Sequence, residues 1–192
     1  MIPAVQKLFD KCCETATNDL LRDGELQFQV IFLTRDDKLI PCVAEMPDAY
    51  HERDALVSLL RLMAVAYDAV AAGIIAEVWF DPDCQDDRRP SESPSRREAI
   101  AVFVVYRDDG GMSLVQFGRE ILRDSTGKIV ELRAPEAPPT PQCCDESMGR
   151  LVRIMPRERP SRRERRLAKA MIDKLPSHSV HRMGHSDGMT VH

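Results

Sequence analysis

A chain of 192 residues with 43% apolar composition can build one ordinary core without disulfides or metal. Its apolar runs are interrupted well short of a membrane span, and a formal charge of -4 excludes a uniformly basic nucleic-acid binder. The charge is split, however: residues 1–133 carry 16 Lys/Arg against 24 Asp/Glu, and residues 134–192 carry 11 against 7. An acidic body is expected to bear a basic tail, and the tail to make any contact with a polyanion. No charged-apolar-small leader stands at "MIPAVQKLFDKCC", and the six cysteines include two adjacent pairs and no CxxC spacing. A soluble cytoplasmic protein with reduced thiols is expected, without membrane contact and without a cofactor or metal.

In chain order, residues 4–22 repeat apolar side chains at helical spacing until Gly24. "LQFQVIFLT" (26–34) and "KLIPCVAEM" (38–46) read as a hairpin around Arg35-Asp36-Asp37, with Pro41 pushing the second strand toward an edge. A long helix is expected next, from an Asp48 N-cap to Gly73 beyond its C-terminus, apolar on most sides and therefore centrally buried. Strands follow at "IIAEVWF" (74–80) and, after a polar loop, at "EAIAVFVVY" (98–106), which is apolar on both alternating faces as a central strand is. Asp108-Asp109-Gly110-Gly111 signals a hairpin into "MSLVQFGREIL", and Asp124-Ser125-Thr126-Gly127 a turn into "KIVELR".

The order α-β-β-α-β-β-β-β with hairpin-length links implies an α+β domain over residues 1–133, built on a mostly antiparallel sheet of about six strands. "APEAPPTPQ" begins a proline-rich linker, residues 134–149, and residues 150–192 form a basic, partly helical and largely disordered tail. Within the tail, Ser161-x-x-Glu164 is a capping box. Behind it Leu167, Met171, Ile172 and Leu175 make an apolar stripe among basic residues. The pentapeptide Pro-Ser-Arg-Arg-Glu occurs here, at 160–164, and earlier at 94–98, where proline-stiffened loop leads into a β-branched run. The same five residues are expected to start a helix once and a strand once.

Chemistry-bearing residues cluster around the first copy. Glu77-x-Trp79, Arg89-Pro90-Ser91 and Pro94-x-Arg96-x-Glu98 occur in that order over 22 residues. The pattern resembles a family of uncharacterised bacterial and phage proteins in which Glu-x-Trp closes one strand and Arg-Pro-Ser…Pro-x-Arg-x-Glu leads into the next. The resemblance covers residues 20–133 and implies a domain boundary but no reaction.

Two readings of the cluster stay open. In one, Arg89, Arg96 and Arg97 fold back on Glu77 and Glu98 as bidentate pairs that fix the loop. In the other, Trp79 stacks a planar ligand at the sheet edge while Arg89, Ser91 and Arg96 receive its carboxylate or phosphate.

No Walker loop occurs, and no GxSxG string lies within residues 1–133, so no catalytic residue is assigned. The sequence favours a binding module acting through a macromolecular partner, a protein or a nucleic acid, engaged by Arg162, Arg163, Arg165 and Arg166 of the tail. The alternative is a divalent-metal-dependent hydrolase using Glu77, Asp81, Asp83 and Glu98. Adjacent Cys143 and Cys144 and the tail histidines His178, His181, His185 and His192 make a poor ligand set for one ion. A homodimer across an open sheet face stays open as an alternative.

Overall fold

The computed structural model describes residues 2–82, 92–108, 111–134, 139–143, 151–174 and 181–182. Helix α1 (Pro3–Asp23) leads to β1 (Gln29–Thr34), β2 (Leu39–Val43) and helix α2 (Tyr50–Ala66). Four strands follow: β3 (Ala69–Phe80), β4 (Arg97–Asp108), β5 (Gly111–Arg123) and β6 (Ile129–Arg133). They form the expected α+β architecture, with all neighbours antiparallel in the order β6-β5-β4-β3-β1-β2. Two-residue strands extend it, β7 (Gln142–Cys143) along β5 and β8 (His181–Arg182) along β2. The pairing of β8 with Cys42 and Val43 leaves the Pro41 end of β2 outermost, where a residue without an N–H is tolerated.

Alternation along the central strands sends apolar side chains to both faces, so helices cover both. On one face, Val5, Leu8, Cys12, Ala16 and Leu20 of α1 pack on Ile75, Ile100, Val102 and Val104. On the other, Leu56, Leu60, Met63 and Ala64 of α2 pack on Val30, Phe32, Ile74 and Val105. The sheet, and not α2, is thus the central element, and α2 keeps a polar outer face at Glu52, Asp54, Ser58 and Arg61.

The long helix is shorter than its alanine-rich sequence suggests. It starts after Ala49, without a side-chain cap from Asp48, and ends at Ala66. Asp68 then turns the chain with a left-handed φ of 50°. Ala69, Ala71 and Ala72 are good helix formers, but β1 and β4 flank them with ladder partners and hold them in β3, so tertiary pairing outweighs propensity. Gly73 does not end a helix; it sits inside β3, directly beneath Leu8 and Cys12 of α1. A Cβ there would collide with Cys12 Sγ.

Beyond the proline-rich stretch the chain returns to the fold. A 3-10 turn at Leu151–Ile154 inserts Ile154 and Met155, 0% and 1% exposed, against the α2 side of the core. Arg107 of β4 donates to the carbonyls of Pro156 at 2.5 Å and Glu158 at 3.1 Å, fixing the path into helix α3 (Arg162–Ile172). The capping box forms: Ser161 Oγ accepts from Glu164 N, and Glu164 Oε2 accepts from Ser161 N at 2.7 Å. Ala168 is buried and Ile172 packs on the α2 cluster. The expected apolar stripe therefore divides, because Leu167 and Met171 are each 57% exposed on another flank of the helix. Leu175 lies outside the described residues.

Candidate functional site

Two charged clusters hold most of the residues singled out in the sequence. The first lies on the α1 face, at the end of the sheet nearest the α1 C-terminus. The registers Glu77↔Ile100 and Trp79↔Glu98 place Glu77, Trp79 and Glu98 on that face, beside the buried Ile100. Arg123, at the end of β5, completes the group. Its Nε donates to Glu98 Oε2 at 2.7 Å, and its Nη2 stands 3.7 Å from Glu77 Oε1. Its Nη1 donates to the carbonyls of Gly24 and Gly127 at 3.1 and 3.2 Å. Glu77 Oε2 in turn accepts from the Leu26 N–H at 3.3 Å.

This network ties the α1–β1 link and the β5–β6 turn to the sheet end. Burial pushes the Glu77 carboxyl above the ordinary glutamate range; the Leu26 N–H opposes the rise, Glu98 adds to it and Arg123 again opposes it. The expected partners of these carboxylates need correction. Arg96 lies over the Trp79 ring, 5.0 Å from its centroid. Arg97 points to the opposite face and pairs with Glu120 at 3.1 Å. Arg89 and Ser91 lie outside the described residues. Arg123 was missed because only the strand register carries it to Glu98, across 25 residues of sequence.

The acids of the hydrolase reading are otherwise engaged. Asp81 accepts from Ser95 Oγ at 2.9 Å, Glu77 and Glu98 share Arg123, and Asp83 lies outside the described residues. Among the described residues no three His, Cys, Asp or Glu side chains converge as a metal-binding group. Trp79 is 43% exposed, with one ring face taken by Arg96.

The second cluster lines a groove of about 520 Å³ between α3, the β1–β2 turn and the α2–β3 turn. Arg162, Arg165, Arg166 and Lys169 come from α3, Arg35 from the β1–β2 turn, and only Asp36 and Asp68 oppose them. Helical spacing explains the convergence, since positions i, i+3, i+4 and i+7 share one side of a helix. Arg163 falls off that side and does not line the groove.

Arg165 Nη1 donates to Asp68 Oδ2 at 2.6 Å, and Arg35 Nε stands 3.4 Å from the same oxygen. Among the described residues no carboxylate pairs with Arg162, Arg166 or Lys169. Lys169 stands with the four arginines among the basic residues around the stripe, but Arg35 and Asp68 were not singled out as site residues in the sequence. Lys169 was legible from its spacing to Arg162, whereas Arg35 and Asp68 arrive only through the docking of α3.

Comparison with known proteins finds no matching family model, no matching curated protein and no matching solved structure.

Proposed function

We propose that this chain is a non-enzymatic binding module whose C-terminal helix presents a cationic groove to a polyanionic macromolecular partner, with nucleic acid as the favoured class. The observation that carries the reading is the set of Arg162, Arg166 and Lys169, unpaired among the described residues and aligned with Arg35 and Arg165 along one groove. Arginine outnumbers lysine there four to one, and its planar fork suits phosphate oxygens. From Arg162 to Lys169 the cations extend about 10 Å along the helix axis, a line suited to a regularly charged backbone. The remaining acidic surface limits binding to this groove, because phosphates elsewhere meet like charge. No helix among the described residues is long and apolar enough to cross a membrane. A cytoplasmic setting suits the reduced thiols of Cys12 and Cys13.

Anisotropy of a labelled, mixed-sequence single-stranded oligonucleotide tests the reading. Three to four phosphate contacts predict that affinity falls about 20- to 50-fold between 50 and 200 mM salt. Little sequence preference is expected, since the proposed contacts are to backbone phosphates, which every sequence shares. Absence of binding at low salt, or binding indifferent to salt, contradicts the proposal.

A further inference from the structure

We infer that Asp68 is a resident anion: its carboxylate occupies the groove's cations in place of a phosphate and is displaced when the partner's backbone binds. The inference rests on the polyanion reading above and specifies how that site is regulated.

Asp68 is contacted by cations from two separate elements, Arg165 of α3 and Arg35 of the β1–β2 turn, both directed at Oδ2. Its side chain is 14% exposed, so the pair is partly desolvated and stronger than a surface ion pair. Guanidinium groups take carboxylate and phosphate oxygens by the same charge-assisted hydrogen bonds, so these two arginines can hold either anion. The resident pair is nevertheless incomplete: Arg165 Nε is buried and has no hydrogen-bond partner. An orphaned charged donor costs stability, and a phosphate, with more acceptor oxygens than Oδ2 alone, relieves it once the guanidinium leaves Asp68.

Binding then has an order. Arg162, Arg166 and Lys169, which hold no carboxylate among the described residues, engage the backbone first. Exchange at Asp68 releases Arg165 and Arg35 and adds their charge to the contact. The left-handed backbone at Asp68 holds the carboxylate in place, and asparagine accepts that conformation without strain, so Asp68→Asn removes the charge and keeps the turn.

The test compares wild type, Asp68→Asn and Asp36→Asn in the full chain. Asp36 lines the same groove, but its carboxylate is held by Lys38 and Thr34 and occupies no groove cation. Asp68→Asn is expected to bind the single-stranded oligonucleotide about three- to tenfold tighter at 50 mM salt. Displacement leaves wild type and Asp68→Asn with the same phosphate contacts in the complex, so their slopes of log affinity against log salt should be alike, and Asp36→Asn should gain less than about twofold in affinity.

Asp68→Gly, which also accepts a positive φ, serves as the second variant and should behave like Asp68→Asn. Wild-type binding with no gain in either Asp68 variant, or an equal gain from Asp36→Asn, overturns the inference and leaves the polyanion reading intact. Binding by the Asp68 variants alone supports it in its strongest form. Absence of binding in every variant overturns both. A larger gain for polyglutamate than for the oligonucleotide overturns the phosphate assignment in favour of an acidic protein.

Discussion

The Arg123 cluster and the α3 groove are built from the same residue types and differ in balance. At the sheet end, one arginine meets two carboxylates and two carbonyls, so its donors are spent inside the fold. In the groove, five cations meet two carboxylates, one of which is already held by Lys38 and Thr34. The first arrangement resembles a fastening and the second a receptor. Arginine-rich sequence alone does not separate them; what separates them is whether the fold supplies enough acceptors.

The largest effect should come from removing what holds α3 in place. Ile154→Ala deletes a fully buried side chain and is expected to cost about 2–5 kcal/mol in chemical denaturation. The groove should be lost with it, because the turn that seats α3 no longer packs on α2. A cost under about 1 kcal/mol would mean that the turn contributes little to the core.

Breaking the other cluster should cost less and spare the groove. Arg123→Ala leaves Glu77 and Glu98 without their shared cation, and with all three side chains partly solvated the expected loss is about 1–3 kcal/mol. The sign of its pH dependence follows from Glu77, whose carboxyl is raised in the folded state. Between its unfolded and folded pKa the native protein holds more protons, so this group's contribution to stability falls as pH rises through that window. Removing Arg123 raises the carboxyl further. The deficit of Arg123→Ala relative to wild type should therefore be largest at neutral pH and shrink on acidification toward the ordinary glutamate range, about 4.3. A deficit that widens on acidification would contradict this account of the cluster.

Much of this was legible in the sequence where local rules act alone. The hairpin links, the α1 stripe ending at Gly24 and the Ser161–Glu164 capping box follow from periodicity and turn chemistry, and the structure has them. The repeated pentapeptide likewise leads into α3 at one site and β4 at the other. What was not legible depends on partners distant in sequence. Ala69–Ala72 become strand because neighbours pair with them, and Arg123 reaches Glu98 through register. Asp68 meets Arg165 across 97 residues, a contact no spacing announces. The groove was half legible: the basic helix was plain in the sequence, but the surface that faces it was not.

The most direct test of the difference between the clusters measures stability and oligonucleotide affinity on two variants side by side. Arg162→Ala/Arg166→Ala removes two exposed groove cations that hold no carboxylate among the described residues; it should leave thermal unfolding nearly unchanged while weakening binding and flattening its salt dependence by about 1.4 in log-log slope. Arg123→Ala should lower the melting temperature by several degrees and leave affinity unchanged at a temperature where it remains folded. If Arg123→Ala abolished binding in the folded state, or the groove variant melted early and bound normally, the assignment of one cluster to stability and the other to recognition would be wrong.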